Sequence, residues 1–355
     1  MTDNSSDDYY NSLDKFESML KTNEVYFYDS EEFIYIINHY FESGKDNLAN
    51  QAIKLGLTQH PSSFELKLLK AEHLINEDKT DEANLLLNEL YHIEPTHEQL
   101  FLLKATMYSK NLQFKKAIQM LRKALKFTDD EAEVLFLIGM EFMYQEEYDE
   151  AEKYFRLVLE IDAEDDQVLN NLIFCYDIQK QHGIAEDFLL QYIEHNPYSE
   201  VAWFQLGKQY YAQKKYQEAI KAFDYAIVIE DTFVGAYIEK GKTFEKLKKY
   251  DDAIYNYTLT LKLEDPSAFI YYKIGKCNER INESEKAIIF HRKAIHEDPL
   301  FEKSWLALIK LFIKKNQFQD ALFVVENAIE IDEHNAVFKK NKEKILEQLN
   351  KDISL

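Results

Sequence analysis

The sequence predicts an all-α protein, an α-solenoid in which similar helical hairpins stack along the chain. Three observations support this prediction. Alanine recurs every 34 residues, prolines and glycines follow the same period, and apolar residues within each period lie three or four positions apart. Spacings of three and four place side chains on one face of a helix, whereas strands require a spacing of two. A fixed period of this length is typical of repeat proteins.

Nine repeat units are predicted from residue 30 to residue 335. Their anchors are Ala49, Ala83, Ala117, Ala151, Ala185, Ala219, Ala253, Ala287 and Ala321. Four prolines share one position of the unit, Pro61, Pro95, Pro197 and Pro299, and Pro266 lies one position later. Because proline is excluded from helix interiors, these residues predict the turns between units.

Each unit is predicted to contain two amphipathic helices. In residues 200–233 the first apolar stripe consists of Trp203, Leu206, Gly207 and Tyr210. The second stripe consists of Tyr216, Ala219, Ile220, Phe223, Ala226 and Ile227. Lys214 and Lys215 lie between the stripes, at the expected turn of a helical hairpin.

Glycine recurs at one position of the first helix, as Gly139, Gly207, Gly241 and Gly275. Glycine inside a helix costs about 0.5 to 1 kcal/mol relative to alanine. Its recurrence therefore predicts that another helix packs closely against this position.

The unit resembles the tetratricopeptide repeat (TPR). The pattern of that family is met in residues 200–233 by Trp203, Leu206, Gly207, Tyr210, Ala219 and Phe223, with Asp231 in place of the terminal proline. The resemblance covers nine units, residues 30 to 335. It implies a right-handed superhelix whose concave surface is lined by the first helix of each pair, and it does not specify any one function.

The two chain ends lie outside the repeats. Residues 1–29 form an acidic segment in which residues 11–21 predict a short helix through Leu13, Phe16 and Leu20, after about ten disordered residues. Residues 336–355 predict a capping helix and tail. Its apolar face consists of Val337, Phe338, Ile345, Leu346 and Leu349.

Charge and composition limit the classes of function. The 64 acidic and 42 basic residues give a net charge of −22, which disfavours nucleic acid and anionic membranes as partners. The start MTDNSSDDYYNSLDKF has no basic or apolar run, so we expect a soluble cytoplasmic protein without membrane insertion. Cys175 and Cys277 are too few for a disulfide framework. Abundant Lys, Asn and Ile with only four arginines favour a bacterial source.

No residue pattern predicts catalysis, a cofactor or a metal site. The sequence has no glycine-rich phosphate loop, HExxH or CxxC motif, and its ten histidines are scattered. We therefore expect a protein that is not an enzyme. His291 stands where the unit usually has an aromatic residue, and we interpret it as a packed polar substitute.

A basic ladder is predicted on the first helices of the later units. Counting residue 200 as position 1 of its unit, positions 2, 5, 9, 12 and 13 face away from the second helix of the hairpin. Positions 9 and 13 hold Lys208, Lys242, Lys246, Lys276, Arg280, Lys310 and Lys314. The ladder either binds an anionic ligand or forms ion pairs along the helix, with Glu245 pairing Lys242 and Glu279 pairing Lys276.

Aromatic and apolar residues accompany the ladder. Phe204, Tyr211 and Tyr272 flank it, and the earlier units carry an apolar strip on the same face. The strip consists of Leu102, Phe136, Met140, Met143, Tyr144 and Phe174. Such residues suit adaptable peptide binding. The alternative is that the N-terminal segment or neighbouring helices cover them.

The preferred hypothesis is a scaffold that binds a protein segment with apolar and acidic parts in its concave groove. One alternative is a regulatory sensor whose superhelix responds to a small peptide or anionic ligand, and a weaker one is an RNA-processing subunit. The partner, the process and the oligomeric state are not specified by the residues. Residues 166–199 predict a hinge, because Ile173 and Tyr192 stand where the family has small residues.

Overall fold

The computed structural model describes residues 4–22, 26–265 and 267–353, and these residues form helices and turns without any strand. The chain divides into two compact units, Met1–Cys175 and Tyr176–Leu355. The all-α solenoid class predicted from the period is confirmed.

The first unit contains ten helices, the last of which crosses the unit boundary. They are α1 (Asn4–Thr22), α2 (Ser30–Glu42), α3 (Asp46–Gln59), α4 (Phe64–Asn76), α5 (Thr80–Ile93), α6 (Glu98–Lys110), α7 (Phe114–Ala124), α8 (Glu131–Tyr144), α9 (Tyr148–Ile161) and α10 (Asp166–Ile178).

The second unit continues with ten further helices. They are α11 (His182–His195), α12 (Glu200–Ala212), α13 (Tyr216–Ile229), α14 (Val234–Lys246), α15 (Tyr250–Leu263), α16 (Ala268–Arg280), α17 (Ser284–Glu297), α18 (Glu302–Lys314), α19 (Phe318–Ile331) and α20 (Ala336–Ile353).

Helices α2 to α19 alternate along the chain as first and second helices of the predicted repeat units. In each pair that lies within one unit, the first helix packs against the second. Pro61, Pro95, Pro197 and Pro299 lie in the turns between pairs, as predicted, and Pro266 lies outside the described residues. The hinge hypothesis for residues 166–199 stays a prediction. Ile173 and Tyr192 are both buried.

The turn inside each pair contains one residue in the left-handed backbone region. Its φ lies between 56° and 65° and recurs every 34 residues, at Gly44, Asp78, Leu112, Glu146, Lys180, Lys214, Lys248, Asn282 and Asn316. Side chains other than glycine are strained in this region. Eight of these nine residues carry a Cβ, so in most pairs the turn does not depend on glycine.

The recurring glycines lie where the two helices of a pair approach closely, as predicted. A Cβ at Gly241 would be 2.7 Å from the Tyr257 ring, and one at Gly275 would be 2.7 Å from the His291 ring. Both rings belong to the second helix of the same pair. The aromatic position of the second helix thus fills the space that glycine leaves in the first.

The N-terminal helix is longer than the sequence predicted. Helix α1 begins at Asn4, so the expectation of about ten disordered residues is wrong from that residue onward, and residues 1–3 lie outside the described part. Leu13 and Phe16 are buried as expected, but Met19 is buried in place of Leu20. A helix buries residues three and four apart, and Met19 continues the series from Phe16.

The C-terminal helix α20 packs on the last pair through Phe338, Ile345 and Leu349. Val337 and Leu346, which the sequence placed on the same face, are 46 % and 39 % exposed. Leu346 holds the position that would face a second helix in a complete unit, and α20 is the last described helix. In the described residues no helix combines the length and apolar character needed to cross a bilayer.

Candidate functional site

The basic ladder lies on helices α12, α14, α16 and α18 of the second compact unit, Tyr176–Leu355, each of which is the first helix of its repeat. Three of its lysines are half-buried and have a partner on their own helix. Lys208 donates a hydrogen bond to Gln205 Oε1 at 2.9 Å. Lys242 forms an ion pair with Glu239 at 2.6 Å and Lys276 with Glu279 at 2.7 Å.

The other four ladder cations are exposed and have no carboxylate within ion-pair distance among the described residues. They are Lys246, Arg280, Lys310 and Lys314. The alternative of ion pairs along the helix therefore holds for part of the ladder. It is right for Lys276 and Glu279, but Lys242 pairs with Glu239 instead of Glu245.

A cleft of about 410 Å³ lies between α14 and α16. Its cationic lining consists of Lys242, Lys246, Lys273, Lys276 and Arg280. The remaining lining residues are Tyr211, Glu245, Tyr250, Tyr272 and Cys277. The cleft thus brings together four ladder cations and two of the three flanking aromatics, whereas Lys208, Phe204, Lys310 and Lys314 do not line it.

Glu245 lies on the floor of this cleft and is bound from two other helices. The Tyr257 hydroxyl of α15 donates to Glu245 Oε1 at 2.5 Å, and Lys273 of α16 donates to the same oxygen at 2.8 Å. Burial, and then the neighbouring Glu245 carboxylate, raise the pKa of Tyr257, so its hydroxyl remains a proton donor.

Glu279 has the corresponding arrangement in the next unit. His291 Nε2 lies 2.8 Å from Glu279 Oε1, and Lys276 donates to Oε2 at 2.7 Å. Since a carboxylate only accepts hydrogen bonds, Nε2 carries the proton. Burial acts to raise the pKa of Glu279, but the hydrogen bonds from His291 and Lys276 outweigh it and lower that pKa.

The charges around the cleft do not cancel. Glu239, Glu245 and Glu279 are paired with Lys242, Lys273 and Lys276 respectively. Lys246 and Arg280 remain without a carboxylate partner among the described residues, and they occupy the same position of successive units. Both side chains line the same cleft, so both can approach one ligand segment. The cleft therefore has the chemistry of an anion-binding site within an acidic protein.

The aromatic residues beside the ladder are half-buried. Tyr211 packs edge to face on Tyr216 with ring centroids 5.6 Å apart, and Tyr272 packs on Phe301 at 5.6 Å. Phe204, outside the cleft, contacts Phe233 at 4.9 Å. Burial raises the pKa of Tyr211. Tyr211 and Tyr272 therefore offer the cleft ring faces together with hydroxyl groups.

The apolar strip lies in the first compact unit, Met1–Cys175. Tyr144 and Phe174 are exposed, by 56 % and 44 % respectively. The other four residues, Leu102, Phe136, Met140 and Met143, are half-buried. Neighbouring helices cover part of them: Phe136 lies 5.9 Å from the Phe155 ring. The strip is thus partly packed and partly open.

Neither cysteine is disposed for nucleophilic or metal chemistry. Cys175 and Cys277 are buried free thiols. Burial raises the pKa of each to about 12, which keeps both protonated near neutral pH. Among the described residues no group of three or more His, Cys, Asp or Glu side chains is arranged to hold a metal.

Sequence reasoning missed Lys273, Tyr250 and Cys277 as cleft residues, and it missed Tyr257 as the hydrogen-bond donor to Glu245. One signal for the floor was present. Glutamate occupies position 12 in the units that contain Glu245 and Glu279, and these are the units whose aromatic position holds Tyr257 and His291. A carboxylate paired with a polar ring at corresponding positions indicates a hydrogen bond between the two helices.

Comparison with known proteins identifies the repeat. Tetratricopeptide repeat models match residues 132–165 and 201–233. The chain therefore contains tetratricopeptide repeats, as its sequence predicted. These matches cover two of the units, so the count of nine such repeats stays a prediction. No curated protein matches the sequence.

Solved structures share the helical architecture at low sequence identity. The C-terminal part of a TPR repeat-containing protein from Cytophaga hutchinsonii is 14 % identical with a TM-score of 0.48, and the match covers 77 % of this chain and 98 % of that one. For MamA the identity is 22 %, the TM-score 0.42 and the coverage 47 % and 92 %. A monomeric mutant of IFIT1 with Gppp-AAAA is 17 % identical with a TM-score of 0.50, and the match covers 96 % of this chain and 86 % of that one. At these identities the likeness shows the fold alone.

Proposed function

We propose that this protein is a non-enzymatic interaction scaffold and that the cleft between α14 and α16 binds an acidic segment of a partner protein. The observation that carries the proposal is the pair of cations Lys246 and Arg280, which have no carboxylate partner among the described residues and line one cleft in a chain with net charge −22. Two cations at the same position of neighbouring helices suit carboxylates that follow one another along an extended chain.

The aromatic lining supports a peptide rather than a free ion. Tyr211, Tyr250 and Tyr272 border the same cleft as the cations. Rigid rings with a polar tip contribute contact area at low cost in conformational entropy, and they are common at protein-binding surfaces. The segment is therefore expected to carry apolar side chains beside its acidic ones.

The apolar strip of the first compact unit is a separate candidate surface, for the same partner protein or for a different one. Met140 and Met143 are half-buried while Tyr144 and Phe174 are exposed. Flexible methionines beside aromatic rings adapt to apolar segments of different shape. We propose that this strip binds an apolar segment.

Affinity capture with a cleft variant tests the proposal. Lys246→Glu with Arg280→Glu reverses both unpartnered cations, and partner recovery is expected to fall at least tenfold. The matched control is Lys221→Glu with Arg292→Glu, which changes the net charge equally at exposed positions of the second helices α13 and α17. Equal recovery with the two double variants would remove the cleft from the proposal.

A second candidate function is a sensor of a small anionic ligand. A cleft of about 410 Å³ is large enough for such a molecule, since ligand pockets commonly measure about 300 to 1,000 Å³. A thermal-shift screen of small anions, followed by small-angle scattering of each hit, separates the two candidates. A bound anion that leaves the scattering curve unchanged argues against a sensor and leaves the scaffold.

RNA is a further outcome to be measured. The acidic net charge disfavours it, and the expectation of no nucleic-acid partner stays a prediction. A capped oligonucleotide that binds wild type in a salt-dependent way, and fails to bind the cleft variant, would assign the cleft to RNA instead of an acidic protein segment.

A further inference from the structure

The arrangement that binds Glu245 in the cleft is repeated around Glu279 in the next repeat unit. A buried polar ring on the second helix donates to a glutamate on the first: Tyr257 to Glu245 at 2.5 Å, and His291 to Glu279 at 2.8 Å. Both rings are fully buried. Each glutamate also pairs with a lysine, Lys273 and Lys276 respectively. Both carboxylates are thus bound from the hairpin interior as well as from the cleft side.

The preceding unit lacks both members of the arrangement. Phe223 occupies the aromatic position on α13, is fully buried, and has no donor. Tyr211, rather than a glutamate, occupies the corresponding position on α12. Phenylalanine therefore fits this site in the same protein, and the hydroxyl of Tyr257 is not required to fill it.

Without the ring donors each carboxylate keeps its lysine partner but loses the hydrogen bond that directs it toward the hairpin interior. Glu245 lies three residues after Lys242 and directly before Lys246, and Glu279 lies directly before Arg280. A glutamate held by one donor fewer can rotate toward the cleft mouth, where its negative charge would reduce the positive potential at Lys246 and Arg280 and repel an anionic ligand.

We propose that Tyr257 and His291 are positioning residues that hold Glu245 and Glu279 away from the mouth of the cleft, so that the charges of Lys246 and Arg280 stay uncompensated and the cleft prefers a ligand with two negative charges. This inference rests on the proposed function of the cleft. It identifies the residues that maintain the positive charge of the cleft, and it specifies the charge of the ligand that the cleft binds.

The test uses full-length protein and a capped peptide of four glutamates that carries an uncharged dye, with binding followed by fluorescence polarisation. Tyr257→Phe is expected to weaken binding about threefold, the effect of one like charge acting through partly solvated surroundings. Thermal unfolding of the variant checks that the fold is retained.

A rescue separates positioning from a structural effect. Tyr257→Phe with Glu245→Gln removes the freed charge and is expected to bind the peptide as tightly as Glu245→Gln alone. A loss of affinity in Tyr257→Phe that persists in the double variant would overturn the proposal, as would unchanged affinity in Tyr257→Phe. A capped peptide with one glutamate is expected to bind more weakly than one with two, and equal binding would overturn the preference for two charges.

A measurement without ligand distinguishes failure of this inference from failure of the proposed function. Carboxyl carbon resonances of labelled glutamate report the pKa of Glu279. His291→Phe is expected to raise this pKa, because it removes one of the hydrogen bonds that oppose the effect of burial. An unchanged pKa overturns the positioning role whatever the peptide does. A raised pKa in a protein that does not bind the peptide supports positioning and contradicts the acidic ligand.

Discussion

The Tyr257 hydroxyl donates a hydrogen bond to Glu245, and 34 residues later His291 donates one to Glu279 in the same way. The relationship joins the two helices of a hairpin through a position that, in the neighbouring unit, holds the apolar ring of Phe223. A packing position has thus acquired a polar role in the two units that form the cleft. The helical repeat supplies the geometry, and the substitutions determine the charge of the surface.

Replacing Gly241 by alanine is expected to destabilise the protein by about 1 to 3 kcal/mol, as is typical of overpacking. The added Cβ would meet the Tyr257 ring at 2.7 Å. Gly183→Ala is the control, since nothing lies within 4 Å of its Cβ and alanine favours a helix by about 0.5 to 1 kcal/mol. Urea unfolding of the two variants should give opposite signs, and two similar values would contradict the close approach.

Leu112→Gly is expected to stabilise the protein by roughly 0.5 to 1 kcal/mol, because it removes a left-handed conformation at a residue with a Cβ. Leu112 has a φ of 56° and is 74 % exposed, so little packing is lost. Leu112→Ala retains the Cβ and serves as the control. If both variants shift the unfolding midpoint equally, backbone strain is not the cause.

Periodicity predicted the hairpins, the turns and the glycine contacts because the alanines, prolines and glycines recur in register. It did not predict the partners of the long charged side chains. Lys242 has Glu239 three residues before it and Glu245 three residues after it, and helix geometry permits either pair. The choice is made by Tyr257 and Lys273, which lie on other helices and bind Glu245. Such choices depend on tertiary contacts that spacing along one helix does not contain.

Stability is expected to depend on pH through Glu279. Its pKa is lowered in the folded protein, so the unfolded chain binds this proton more readily than the folded one. The contribution of Glu279 is therefore present above its unfolded pKa, near the usual value of 4.5, and is lost as the pH falls through the folded pKa. The difference in thermal midpoint between wild type and Glu279→Gln should shrink from pH 7 toward pH 3. Glu264→Gln, at an exposed glutamate, is the control and should show no such trend.

Phe338 is expected to be the main anchor of the C-terminal helix α20. It is 2 % exposed and packs into the core of the last hairpin with Phe312 and Val325. Truncating a buried phenylalanine to alanine typically costs about 3 to 5 kcal/mol, through lost burial and the cavity that remains.

Leu346 provides a matched comparison on the same helix, since it is 39 % exposed and faces away from the last pair. Leu346→Ala is expected to cost less than about 1 kcal/mol, as surface substitutions usually do. Because α20 contacts only the end of a repeat array, Phe338→Ala should loosen the last hairpin before the rest. Amide hydrogen exchange would then rise first in α18 to α20. A uniform rise along the chain, or equal effects of the two substitutions, would show that α20 does not cap the array.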